Sequence, residues 1–235
     1  GGGISIGTGS SSLATSGEIE IWTAVAGTGG PSGYVMLSTG SSSTSSVSSG
    51  DVFLVTGDSA GNSGHVTIAS GMTSEESGTA GSINLEAGLA SNENAVGGSV
   101  SISAGAGTDD DNFDGGTGGS VSIVAGRTYS TSSTDSTKTG GSVSISGGQA
   151  DASTGGEIIV TSGSGVGSTS GQITIETADA GTSGASGKIL LKTGEGTGSS
   201  STGYAGDIEL NAGASASSTG GDVLLYAGTS TSYVG

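Results

Sequence analysis

An eight-residue unit, glycine–x–Φ–x–Φ–x–small–glycine with Φ aliphatic, recurs fourteen times along this 235-residue chain. Its clearest copy is GSVSISAG, Gly98 to Gly105. Val100, Ile102 and Ala104 alternate with Ser99, Ser101 and Ser103. Period-two alternation predicts a β-strand with one face turned to a core, so these three residues are expected inward and the serines outward. Gly105 is expected to end the strand in the left-handed backbone that glycine adopts without steric cost.

The copies open at Gly2, Gly17, Gly33, Gly50, Gly64, Gly81, Gly98, Gly119, Gly141, Gly156, Gly171, Gly187, Gly206 and Gly221. Ile or Val always fills the first apolar slot, and Ile, Leu or Val the second. The small slot holds only Ala, Ser, Thr or Gly, and Ala24 and Ala178 replace the closing glycine in two copies. Fourteen matches to one pattern define a repeat protein.

Consecutive copies start 14 to 17 residues apart, rising to 19 after Gly187, 21 after Gly98 and 22 after Gly119. A constant segment with a variable connector predicts an all-β fold, a parallel β-solenoid (β-helix) of about fourteen short coils with longer insertions in coils 7 and 8. Small residues alternate in some connectors, as at Ala150, Ala152 and Thr154 or Ala214, Ala216 and Ser218. These predict a second, shorter strand per coil. Parallel stacking would set equivalent residues such as Val100 and Val121 about 5 Å apart. The repeat runs unbroken, so residues 1–235 are expected to form a single β-solenoid repeat domain.

Glycine, serine and threonine make up more than half of the chain, a composition that without periodicity would read as disordered linker. The strict Φ–x–Φ register argues for order. The net charge is −17, with Arg127, Lys138, Lys188 and Lys192 the only cations. Nucleic acid and anionic membranes both need a basic footprint and are not expected as partners. With no cysteine, neither disulfides nor thiolate metal sites stabilise the chain. No stretch is apolar for long enough to insert in a membrane as a helix. Gly1 begins almost inside a copy and Gly235 falls midway through a connector, which suggests a mature product or a segment of a longer array.

Few residues invite chemistry. His65, the only histidine, occupies an outward slot without the partners of a triad or a histidine metal site. Asp110, Asn112, Asp114 and Gly115 match the opening of a calcium loop, in which alternate oxygens converge on Ca²⁺. The closing glutamate is missing, since Val121 stands where it should fall; an acidic, solvated loop is the competing reading. A polysaccharide-cleaving site would need cations to neutralise its substrate, and the four here are scattered. The middle outward slots form no regular threonine row of the kind an ice-binding face needs. No catalytic residue is assigned, and the chain is not expected to be an enzyme.

Some outward slots are apolar toward the two ends of the chain. Trp22, Tyr34, Met36 and Phe53 lie early; Ile159, Leu190, Leu224 and Tyr226 lie late. Their regional clustering marks them as a candidate interface. The tracts Ser41–Ser46, Thr131–Thr134 and Ser199–Thr202 are candidate O-glycan acceptors, and no N-x-Ser/Thr sequon is present.

The units GGSVSI, GGDVLL and AGDIEL resemble two groups. One is the filamentous-haemagglutinin type of surface protein, with stacked β-helical coils. The other is the Gly/Ser/Thr-rich extracellular repeat proteins of algae and other protists, which the Ser/Thr-rich connectors fit better. Either resemblance implies an extracellular or cell-surface structural protein. The expected function is a subunit of a filament that binds copies of itself head to tail through uncapped solenoid ends. The alternative is an adhesin stalk or surface-binding module for glycans, a partner protein or a calcium-dependent surface.

Overall fold

The computed structural model describes residues 2–44, 47–108, 115–129, 138–182, 184–198 and 203–229. Among these residues there is no helix and no β-strand, and therefore no sheet and no solenoid. The expected all-β parallel β-solenoid is overturned. End-to-end joining through open solenoid edges loses its basis with it.

All fourteen eight-residue segments run without a bend or turn, and every bend or turn among the described residues falls in a connector. The expected second strands are not there: residues 151–153 and 216–218 bend instead. The chain divides into two units, Gly1–Val121 and Ser122–Gly235, with the boundary inside the Gly119–Gly126 segment.

Connector chemistry explains why no solenoid forms. Serine and threonine hydroxyls accept nearby backbone N–H groups: Ser11 from Ala14 (2.9 Å), Ser59 from Gly61 (3.1 Å), Thr73 from Glu75 (3.3 Å) and Ser215 from Ser218 (3.0 Å). Such local bonds coil a chain. Turns bonded from Gly78 N–H to Glu75 C=O (3.0 Å) and from Ala95 N–H to Asn92 C=O (3.1 Å) add to this. Parallel stacking needs each connector to travel back the length of a segment, about 23 Å for seven steps of extended chain. These connectors return the chain to where it left. Gly119 opens its segment beside Ala104 and Gly105, which close the previous one. Val100 and Val121 are thereby denied the adjacent parallel register.

This return is the recurring tertiary feature, and it sorts the glycines. A Cβ placed on any of the thirteen opening glycines from Gly17 to Gly221 would meet the closing end of the preceding segment within 4 Å. A Cβ on the closing glycines, among them Gly88, Gly105, Gly126, Gly163 and Gly213, would meet nothing. No described glycine has positive φ, whereas Ser77 (69°) and Asn94 (60°) do, each at the third position of a connector turn. The opening glycines serve close approach. The expected left-handed role at Gly105 is not used.

What occupies the small slot decides how each return is closed. Seven segments carry Ala, Ser or Gly there before a following segment: Ser70, Ala87, Ala104, Ala125, Gly147, Ser162 and Ala212. In all seven the next opening glycine donates its N–H to the closing glycine's carbonyl, at 2.8 to 3.2 Å. The six threonine segments differ. Only the first retains that bond, stretched to 3.4 Å from Gly17 to Gly9. Thr23 and Thr177 instead donate their hydroxyls to the opening-glycine carbonyls of Gly33 (3.1 Å) and Gly187 (3.3 Å), and Thr8 does so to Gly17 (2.9 Å) beside the stretched bond. Two of these threonines precede Ala24 and Ala178, the positions where the closing glycine is absent. No backbone bond is continued by a second along the segments, so no ladder develops.

No described residue is fully buried. Val100 and Ile102, expected inside, are 57% and 68% exposed. From Ile19 onward the first apolar slot stays between 49% and 62% exposed, while the second lies between 63% and 87%. Partial cover follows closure, because the first slot is two residues from the opening glycine. Ile4 shows the converse: Gly2 meets nothing, and Ile4 is 93% exposed. The residues covered furthest are all small, and Ala87, Ala125, Ser162 and Thr193 of these occupy the small slot.

Candidate interaction surface

Residues two apart in a bend-free segment lie on one side of the backbone. Two side-chain pairs within segments display this, and a third does so in the connector after Gly126. Gln172 Nε2 donates to Thr174 Oγ1 at 3.0 Å, the Asn211 amide donates to the Glu209 carboxylate, and the Arg127 guanidinium sits 4.4 Å from the centre of the Tyr129 ring. Each segment therefore presents one row of three outward residues and one of two aliphatics and a small residue.

Every residue singled out as a candidate interface is exposed: Trp22, Tyr34, Met36, Phe53, Ile159, Leu190, Leu224 and Tyr226. Tyr34 and Met36 share a row, as do Leu224 and Tyr226. The first four belong to the unit Gly1–Val121 and the last four to Ser122–Gly235. Leu190 stands between Lys188 and Lys192 in its row; Trp22 ends a row opened by Glu18 and Glu20.

The outward residues are a minority of the exposed large apolar residues. The supposed core, such as Ile21, Leu37, Leu54 and Leu191, is exposed alongside them. Sequence reasoning missed these as interaction residues, and the signal available was their scarcity. Two slot aliphatics and few others in each 14 to 22 residues leave little to cover them with.

The calcium-loop residues Asp110, Asn112 and Asp114 lie outside the described residues, as do Ser45, Ser46, Thr131–Thr134 and Ser199–Thr202 of the glycan-acceptor tracts. Among the described residues no group of three or more His, Asp or Glu is placed to hold a metal ion. No helix among them is long and apolar enough to cross a membrane.

Comparison of the chain with protein-family profiles, with curated proteins and with solved structures finds no match.

Proposed function

We propose that this chain is a structural subunit of an extracellular or cell-surface filament, assembled by contact between copies of itself. One observation carries the reading: the same aliphatic pair is presented at each repeat and left exposed. Apolar surface withdrawn from water contributes about 25 cal/mol per Å², and arrays of exposed apolar groups mark interaction surfaces. Because the fourteen segments are alike, any segment of one copy meets a matching segment on another. Their backbone N–H and C=O groups, free of any ladder, are open to pairing between chains. The Ser/Thr-rich connectors, and the likeness of GGSVSI and AGDIEL to extracellular repeat proteins, support the location.

Charge sets the conditions. Copies carrying −17 each repel one another, and screening shortens that repulsion from about 30 Å at 0.01 M salt to about 8 Å at 0.15 M. Sedimentation velocity is expected to show self-association that rises with protein concentration and with salt, and electron microscopy to show elongated particles. A chain that sediments as a monomer throughout would sink the proposal.

No cofactor enters this reading. Titration calorimetry with Ca²⁺ is expected to yield no heat beyond weak counterion binding. A saturable isotherm that disappears in Asp110→Asn would instead assign Asp110, Asn112 and Asp114 to a calcium site.

A further inference from the structure

Charge is distributed over the fourteen outward rows unevenly. Only the segment Gly187–Gly194 presents a cationic row, Lys188–Leu190–Lys192. Two rows carry a pair of carboxylates and no cation: Glu18–Glu20–Trp22 and Asp207–Glu209–Asn211. In the second, Glu209 is already engaged by the Asn211 amide. The first has both carboxylates exposed and adds an exposed indole.

We infer that copies dock by laying the Lys188–Leu190–Lys192 row of one chain against the Glu18–Glu20–Trp22 row of a second. This rests on the self-assembly reading and names its contact. Both rows stand on backbone free of bends, and extended chain there gives their side chains the same interval of roughly 6.7 Å when the rows dock. The cationic row is symmetric about Leu190. Docking in either direction therefore sets one ammonium against Glu18, the other over the Trp22 ring, and Glu20 diagonally between the two lysines. Leu190 and Trp22, 68% and 72% exposed in the free chain, supply the apolar contact that excludes water from the charges. Tryptophan in such a position is a common anchor of binding.

The cationic row belongs to the unit Ser122–Gly235 and the acidic row to Gly1–Val121. Each copy thus carries one donor row and one different acceptor row. A contact between unlike patches can be heterologous, and it propagates into a fibre when the rotation between successive copies does not close. The opposite signs also supply local attraction between chains whose net charges repel.

Sedimentation equilibrium at fixed salt tests the pairing with the full chain. K188E/K192E is expected to weaken self-association at least tenfold. E18K/E20K is expected to do the same, although it leaves the chain four charges less negative and so reduces overall repulsion. The chain carrying all four reversals regains the original net charge and is expected to associate within about twofold of the wild type. In mixtures of ¹⁴N- and ¹⁵N-labelled chains, carbodiimide coupling should give mixed-isotope links from Lys188 or Lys192 to Glu18 or Glu20. Wild-type chain that associates while E18K/E20K associates as well or better overturns the docking alone. Wild-type chain that fails to associate overturns the filament reading as well.

Discussion

Ala104→Thr is expected to abolish the hydrogen bond from the Gly119 N–H to the Gly105 carbonyl, now 2.9 Å, while Ala104→Ser leaves it in place. The expectation comes from the sorting of the closures by small-slot residue. Alanine, serine and glycine all permit the backbone bond, and serine does so at Ser70 and Ser162. Threonine does not, apart from the 3.4 Å contact at Gly17. We attribute this to its second branch, which at Gly17, where a Cβ would meet the Thr8 γ-methyl at 3.4 Å, lengthens the bond without removing it. A Cβ on Gly33, Gly50, Gly64 or Gly187 would meet the γ-methyl of Thr23, Thr39, Thr56 or Thr177 at 3.3 to 3.5 Å. That methyl fills the space through which the opening glycine would otherwise settle onto the closing carbonyl. The reciprocal change, Thr193→Ala, is expected to create a bond from Gly206 N–H to Gly194 C=O. An exposed hydrogen bond contributes about 0.5–1.5 kcal/mol. Amide exchange at Gly119 should therefore quicken roughly three- to tenfold in Ala104→Thr and slow similarly at Gly206 in Thr193→Ala. Unchanged exchange at both amides would show that the small slot does not control closure.

Gly156→Ala is expected to open the return between Gly148 and Gly156, whereas Gly148→Ala preserves it. A Cβ on Gly156 would lie 2.8 Å from the Gly148 nitrogen, closer than such atoms approach, and backbone cannot swing aside as a side chain can. A Cβ on Gly148 meets nothing. This closure is the tightest case because Gly147 fills its small slot. A Cβ on Gly147 would overlap the Gly156 carbonyl oxygen. Nuclear Overhauser contacts between the α-protons of residues 148 and 156 provide the readout. They should vanish in Gly156→Ala and persist in Gly148→Ala. Gly→Ala itself stiffens the open chain by about 0.4–1 kcal/mol at either position, so this common effect cancels in the comparison.

The two substitutions probe what the repeat pattern conveys and what it does not. From GSVSISAG one reads where each segment starts and stops, which residues share a side, and that a small residue must precede the closing glycine. In the backbone all fourteen segments are free of bends and turns, but none is a strand. The pattern also singles out Trp22, Leu190 and the other outward apolar residues, all of them exposed. It does not distinguish Gly98 from Gly105, because glycine is written for both and only one faces another part of the chain.

Local periodicity determined the segments of this protein, since bend-free backbone with alternating sides is set by residues within eight positions of one another. Its charge and its scarcity of aliphatics were likewise fixed at that level. Whether the aliphatic face would be buried was not, because alternation states which residues share a side and leaves open what that side meets. The tertiary structure decided that through the connectors. Hydroxyls such as those of Ser11, Ser59 and Ser215 coil their connectors on nearby N–H groups, and at every connector the chain comes back to the end of the segment it has just left. A solenoid needs it to come back to the beginning. That difference, about 23 Å of extended backbone, separates a stacked core from a series of closed returns whose Val, Ile and Leu face outward.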